Sequence, residues 1–297
     1  MSDGVEDWLD VLGCPDCQGA LRLIDDKALH CPACGHRFLL RGGVPSLVRR
    51  KDVMMLAEFS RRYREARLRE GWRPLTPQQA LALPYGSPPR YPALYWEVRR
   101  QSYEALMRLL SREGPPPEAG PVADLGAGTS WLAHRLARSG YRVLALEASL
   151  DGDFGLGAAE VYRASAPTRF LPIQGDLEHP PLQRERLGLA IFNASLHYAQ
   201  DLEGTLHRTA RALRPGGCLV VLDTPIAGCP RPGSDLGDRH LGRRELQKAL
   251  VAAGLRPRWI PVRRGVRWWV YQAKLRLKRG APFLFPMVVG YHKGQSL

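Results

Sequence analysis

The chain has 297 residues, 44% of them hydrophobic, and its 43 Lys and Arg outnumber 29 Asp and Glu to give a formal charge of +14. That length allows one large core with a small appendage, and no run reaches the roughly eighteen apolar residues of a membrane-spanning helix. Residues 1–10 are acidic and lack the basic start and apolar stretch of a secretory signal, so a cytoplasmic protein with reduced cysteines is expected.

Four of the six cysteines form two CxxC pairs, Cys14 with Cys17 and Cys31 with Cys34, thirteen residues apart. Each pair aims two thiolates at one point, the spacing of a tetrahedral zinc site. A pair of redox dithiols would need a thioredoxin-like strand and helix context that is missing here. The short apolar runs around these knuckles predict a few small strands. So small a segment cannot bury enough surface to be stable alone, and a bound Zn2+ would staple it. Cys218 and Cys229 read as incidental.

Residues 49–73 turn charged and helical, with Met54, Met55, Phe59 and Tyr63 spaced to line one face. Pro74, Pro77, Pro84, Pro88, Pro89 and Pro92 then forbid a continuous helix, predicting a linker or an extended arm. Residues 95–110 are helical again until Gly114 and three prolines reset the chain. The expected domains are a zinc ribbon over 1–48, a helical and Pro-rich extension over 49–119, and a ligand-binding domain over 120–297.

From Gly120 onward, short apolar runs alternate with amphipathic helices, as in an α/β protein with a parallel sheet. Strands are predicted at 121–125, 142–146, 170–173, 189–193 and 218–222, with helices at 130–138, 202–213 and 243–253. Two late strands, 256–262 and 285–291, flank a helix over 266–278. From Arg256 onward the chain holds ten basic residues, Lys293 the last, and no Asp or Glu. That segment either attracts phosphates, with Trp268, Trp269 and Tyr271 available for base stacking, or is a solvated face whose aromatic side caps a pocket.

The first strand ends in Asp124-Leu125-Gly126-Ala127-Gly128, a turn where the backbone bends sharply and a ligand can come close. Trp131 stands where a dinucleotide fingerprint keeps its third glycine, and Asp124 brings an acid to the strand end. A pyrophosphate prefers free amides and no carboxylate, so this turn suits a cationic ligand and disfavours a nicotinamide oxidoreductase. Glu147, ending the second strand, is placed for ribose hydroxyls. Asp176 after the third can accept from an adenine amino group while Leu177 covers the ring.

With these acids in order, and Arg214-Pro215-Gly216-Gly217 before a strand, residues 122–291 resemble the class I S-adenosylmethionine-dependent methyltransferases. The resemblance implies a Rossmann-like seven-stranded sheet whose late strands form an antiparallel hairpin. It also implies S-adenosylmethionine as cofactor, with Asp124, Gly126, Ala127 and Gly128 at the methionine part, Glu147 at the ribose and Asp176 with Leu177 at the adenine. Asn193, ending the fourth strand, joins that binding set, and His197 beyond it is the candidate base. Asn193 is followed by Ala194, so the Asn-Pro-Pro-Tyr motif of many base and glutamine methylases is missing. Residues 12–48 resemble the small zinc-binding activator subunit of tRNA, rRNA and protein methyltransferases. The expected acceptor is therefore a small molecule or RNA. The competing reading is a non-catalytic, zinc-containing nucleic-acid-binding protein with a degenerate Rossmann domain.

Overall fold

The computed structural model describes residues 4–25, 27–86, 88, 93–165, 170–227, 231–232, 236–279 and 284–292. Pro89, Pro92, Cys229 and Lys293 lie outside them.

The N-terminal segment forms four short strands, β1 (Arg22–Asp25), β2 (Ala28–His30), β3 (Arg37–Arg41) and β4 (Val44–Pro45), each antiparallel to the next. Its apolar residues do not close a core of their own. Trp8, Leu12, Leu29, Phe38 and Leu47 are buried in one cluster with Leu125, Leu144, Leu146 and Ile173 of the large sheet.

Helix α1 (Val53–Arg69) follows at once. The Pro-rich stretch, where the prolines exclude a continuous helix, holds a short one, α2 (Pro77–Ala82). Proline costs nothing at a first helical position, and Thr76 and Gln79 cap the start reciprocally. The stretch is pinned to the body where Arg135 donates to the Leu81 and Leu83 carbonyls, at 2.9 and 2.6 Å. Helix α3 (Ala93–Glu113) completes the extension.

The large sheet is built from β5 (Val122–Leu125), β6 (Val143–Glu147), β7 (Phe170–Gln174), β8 (Leu187–Asn193) and β9 (Leu213–Leu222). Helices α4 (Trp131–Arg138), α5 (Glu160–Ser165) and α6 (Leu202–Ala212) lie among these strands in sequence. After β9 come β10 (Ile226–Ala227), β11 (Arg231–Pro232) and β12 (Arg239–Gly242), a small sheet with no alternating pattern to announce it. Then follow α7 (Arg243–Ala252), β13 (Leu255–Ile260), α8 (Val266–Arg279) and β14 (Met287–His292). The strand order is β13-β14-β9-β8-β5-β6-β7; β5 to β9 run parallel, and β14 is antiparallel to both neighbours. This is the expected seven-stranded sheet with its late hairpin.

One boundary differs. Arg214 to Gly217 lie inside β9, not before it, because the ladder to β8 skips from Leu213 to Cys218. Gly216, at φ +80°, takes the left-handed conformation that such a bulge requires. The sheet reverses its winding between β5 and β8, and ligands of open α/β sheets bind in the crevice at such a point.

Candidate active site

Three loops at the carboxyl ends of β5, β6 and β7 meet in a cleft of about 460 Å³, within the usual size of a cofactor site. Gly126, Gly128, Glu147, Asp176 and Leu177 all line it. Helix α1 roofs it with Met55, Phe59 and Tyr63, three of the four residues whose spacing marked one helix face; Met54 points to solvent, 80% exposed. Phe59 and Tyr63 meet Tyr198 edge-on, with ring centroids 5.8 and 6.2 Å apart. The roof is fastened where Ser60 Oγ lies 2.6 Å from Ser149 Oγ and Arg64 reaches Asp151 and Asp153, each at 2.7 Å.

The glycine turn is closed on itself. The amides of Gly126 and Ala127 donate to the Leu146 carbonyl at 2.8 and 2.9 Å, and the Gly128 amide donates to Glu147 Oε2 at 2.9 Å. A Cβ on Gly126 would come within 2.3 Å of Ser195 Cβ, so glycine is needed there for packing. Ser195 was not singled out by the sequence; its hydroxyl donates to the Leu125 carbonyl and so ties the β8 loop to this turn. Gly128, at φ +54°, has no atom within 4 Å of where a Cβ would stand, leaving its ligand side open.

The three acids occupy different depths. Glu147 faces the cleft, and its other oxygen accepts from the Ser149 amide at 3.0 Å; burial raises its pKa against the pull of those amides. Asp176 is held by the Glu178 amide at 2.9 Å and lies 3.1 Å from His179 Nδ1. Asp124 sits behind the wall, 1% exposed, and lines neither this cleft nor its neighbour. Burial, then the nearby Glu147 carboxylate, push its pKa up to about 7, and neither oxygen has a hydrogen-bond partner.

A second, smaller cavity of about 100 Å³ shares Tyr63, Gly126, Gly128 and Ala194 with the cleft, and Ala127 and Asn193 lie on it. His197 is on the wall of neither. It is buried with its Nδ1 unpaired and its ring 4.4 Å from that of Tyr198, and burial brings its pKa down to about 3.

In the ribbon the four cysteines converge. Cys14 Sγ lies 3.7 Å from Cys34 Sγ, Cys17 Sγ lies 3.4 Å from Cys31 Sγ, and all four sulfurs are within 4.8 Å of one another. A tetrahedron of thiolates at the usual zinc–sulfur distance has edges of about 3.8 Å, so this set fits a metal. Gly19 belongs to the site too, because a Cβ there would stand 3.2 Å from Cys31 Sγ and 3.3 Å from Cys17 Sγ. Cys218 is buried on β9 and its thiol is pushed up to about 12, which keeps it inert.

A seven-stranded sheet of this winding is the Rossmann-like fold of known methyltransferases. The comparisons agree: residues 123–221 match the family "Methyltransferase domain", and residues 6–43 match "Trm112p-like protein". A malonyl-[acyl-carrier protein] O-methyltransferase of Enterobacter lignolyticus is 28% identical over 191 residues, spanning 62% of this chain and 71% of that one. An uncharacterized methyltransferase of Mycobacterium tuberculosis is 34% identical over 101 residues, which is 34% of this chain and 49% of its own length. Geranyl diphosphate C-methyltransferase from Streptomyces coelicolor shares the fold at a TM-score of 0.53 and 19% identity, over 70% of this chain and 86% of that one. The chain is an S-adenosylmethionine-dependent methyltransferase, with a methyltransferase domain joined to an N-terminal Trm112p-like ribbon. Among the described residues no helix is long and apolar enough to cross a membrane.

Proposed function

We propose that the cleft binds S-adenosylmethionine and presents its methyl group to an acceptor entering through the adjoining cavity. Glu147 accepts from the ribose hydroxyls, Asp176 from the adenine amino group, and Leu177 covers the adenine ring. The turn at 126–128 passes beside the methionine part. Asp124 acts through the wall as a buried negative charge that favours a sulfonium, while Ala127 and Asn193 bound the acceptor side. When bound, the cofactor supplies a methyl group on a positively charged sulfur; the chain's task is to align an acceptor with it and exclude water. His197 braces the Tyr198 ring and moves no proton. The four thiolates of Cys14, Cys17, Cys31 and Cys34 hold one structural Zn2+.

The observation that carries this reading is the closed turn. The Gly126, Ala127 and Gly128 amides are engaged on protein oxygens and so are not offered to a pyrophosphate, and a carboxylate, Glu147, lies beside them. Calorimetry with S-adenosylhomocysteine and with NAD tests it. Micromolar binding of the first and no heat from the second are expected; the opposite result overturns the assignment.

The acceptor class divides between a small molecule and RNA. The first is favoured by the small size of the second cavity, about 100 Å³, and the Enterobacter relative is named for an acyl-carrier substrate. The second draws on α8, which exposes Trp269 and Tyr271 on the basic C-terminal segment while Trp268 is buried. RNA bound there would dissociate steeply with added salt, and a filter-binding titration insensitive to salt removes that reading.

A further inference from the structure

The second cavity differs in character from the cleft it opens into. Its walls carry six aromatic side chains, Tyr63, Trp72, Tyr95, Trp96, Trp131 and Phe154, and two guanidinium groups, Arg67 and Arg99. Its only carboxylate among the described residues is Asp153, already engaged by Arg64 at 2.7 Å. No His, Lys or Cys is among the described residues that line it. Two cations in so small a space repel a protonated amine, even though the rings alone would form a cation-binding cage.

The two arginines are not equally engaged. Arg99 is tied to Asp223 at 3.1 Å and to the Tyr95 hydroxyl at 2.9 Å. Arg67 lies over the rings of Tyr63 and Trp72, 5.0 and 5.3 Å from their centroids, and gives one amino group to Glu70 at 2.9 Å. Its Nε–H is buried without a partner. A buried donor left unpaired is costly, and a planar guanidinium matches a planar carboxylate.

Resting on the cofactor reading above, we infer that the acceptor is a small carboxylic acid with an apolar or aromatic body, methylated on its carboxylate oxygen. A lone pair of that oxygen forms the new C–O bond as the methyl–sulfur bond breaks, and the bonding pair leaves on sulfur. The products are a methyl ester and S-adenosylhomocysteine. No proton has to be removed, which fits a cavity whose only lining carboxylate is held by an arginine and a His197 that faces neither space. Opposite charges cancel as the bond forms, so a wall of six aromatic rings, less polar than water, favours this transfer over one that creates charge.

The test incubates the full chain with isotopically labelled methyl donor and four probes: 3-phenylpropanoate, its amide, 2-phenylethylamine and bulk RNA. An extract of cellular small molecules is run alongside. Methyl esters release labelled methanol in mild alkali, whereas N-methyl groups and methyl ethers do not. Alkali-labile label in the acid or in the extract, with none in the amide, amine or RNA, is expected. Arg67→Met is expected to raise the KM for the acid about tenfold, with S-adenosylhomocysteine affinity unchanged by calorimetry. Alkali-stable label in amine, RNA or extract, or no alkali-labile product from a chain that binds S-adenosylhomocysteine, overturns the inference and leaves the cofactor reading standing. Failure to bind S-adenosylhomocysteine sinks both.

Discussion

The ribbon and the sheet each gather ionisable acids, and they do so by opposite means. In the ribbon four thiols converge on one point, carried by short strands. At the sheet edge the carboxylates spread over different depths. Glu147 and Asp176 are each satisfied by backbone amides, and Asp124 stays buried with no partner. On the zinc reading proposed above the ribbon's cluster is completed by a metal, whereas the sheet's acids are held by the protein's own amides and tuned by burial.

The sharpest test of that contrast is removal of the metal. A strong chelator, or Cys31→Ser, is expected to melt β1–β4 and expose Trp8, read as a red-shifted tryptophan emission and a fall of more than about 10 °C in Tm. Metal analysis should find one zinc per chain. A ribbon that keeps its Tm without metal would place the two regions on the same footing. Next in size, Glu147→Ala is expected to weaken S-adenosylhomocysteine binding about 10- to 100-fold by calorimetry, the loss of hydrogen bonds to a charged group. Tm should also fall by a few degrees, since the Gly128 and Ser149 amides lose their acceptor.

Asp124 yields a subtler effect with a definite sign. Its folded pKa of about 7 lies above the unfolded value, so its contribution to stability is full below about pH 4 and is lost as pH rises through 7. Asp124→Asn is expected to leave apoprotein stability unchanged near pH 4 and to raise it on the order of 2 kcal/mol at pH 8. Denaturant midpoints at the two pH values check this, and equal effects at both would show that Asp124 is ionised throughout. The smallest effect belongs to His197. Because it is neutral above about pH 3, His197→Gln is expected to keep kcat within about threefold, with no change in the pH profile between 6 and 8. A 100-fold loss would restore it as a base.

The two regions also differed in how much their sequences disclosed. A CxxC knuckle is local, so residues three apart fix where both sulfurs go, and the convergence of the four thiols was legible at once. The glycine turn, the central strands and the cleft-facing Glu147 and Asp176 were legible too, from apolar runs ending in an acid. The depth of Asp124 was not: every residue of β5 is buried, so no alternation tells which side of the strand meets the ligand. Met55, Phe59 and Tyr63 showed themselves as a helix face, but what that face covers is decided by contacts far along the chain. The same holds for Arg67 and Arg99, two among many arginines until α1 and α3 bring them to one chamber. The small sheet of β10 to β12 gave no sign because two-residue strands carry no period.

One contact made by the ribbon reaches further than its size suggests. Leu47 donates its amide to the Gln174 carbonyl at 2.8 Å and Ser46 reaches the Gln174 side chain at 2.7 Å, two residues before Asp176. A ribbon supplied as a separate subunit would leave this seam upon dilution. Here a continuous backbone sets its effective concentration, so occupancy of the seam is independent of how much protein is present. Specific activity should accordingly stay constant down to the lowest assayable enzyme level.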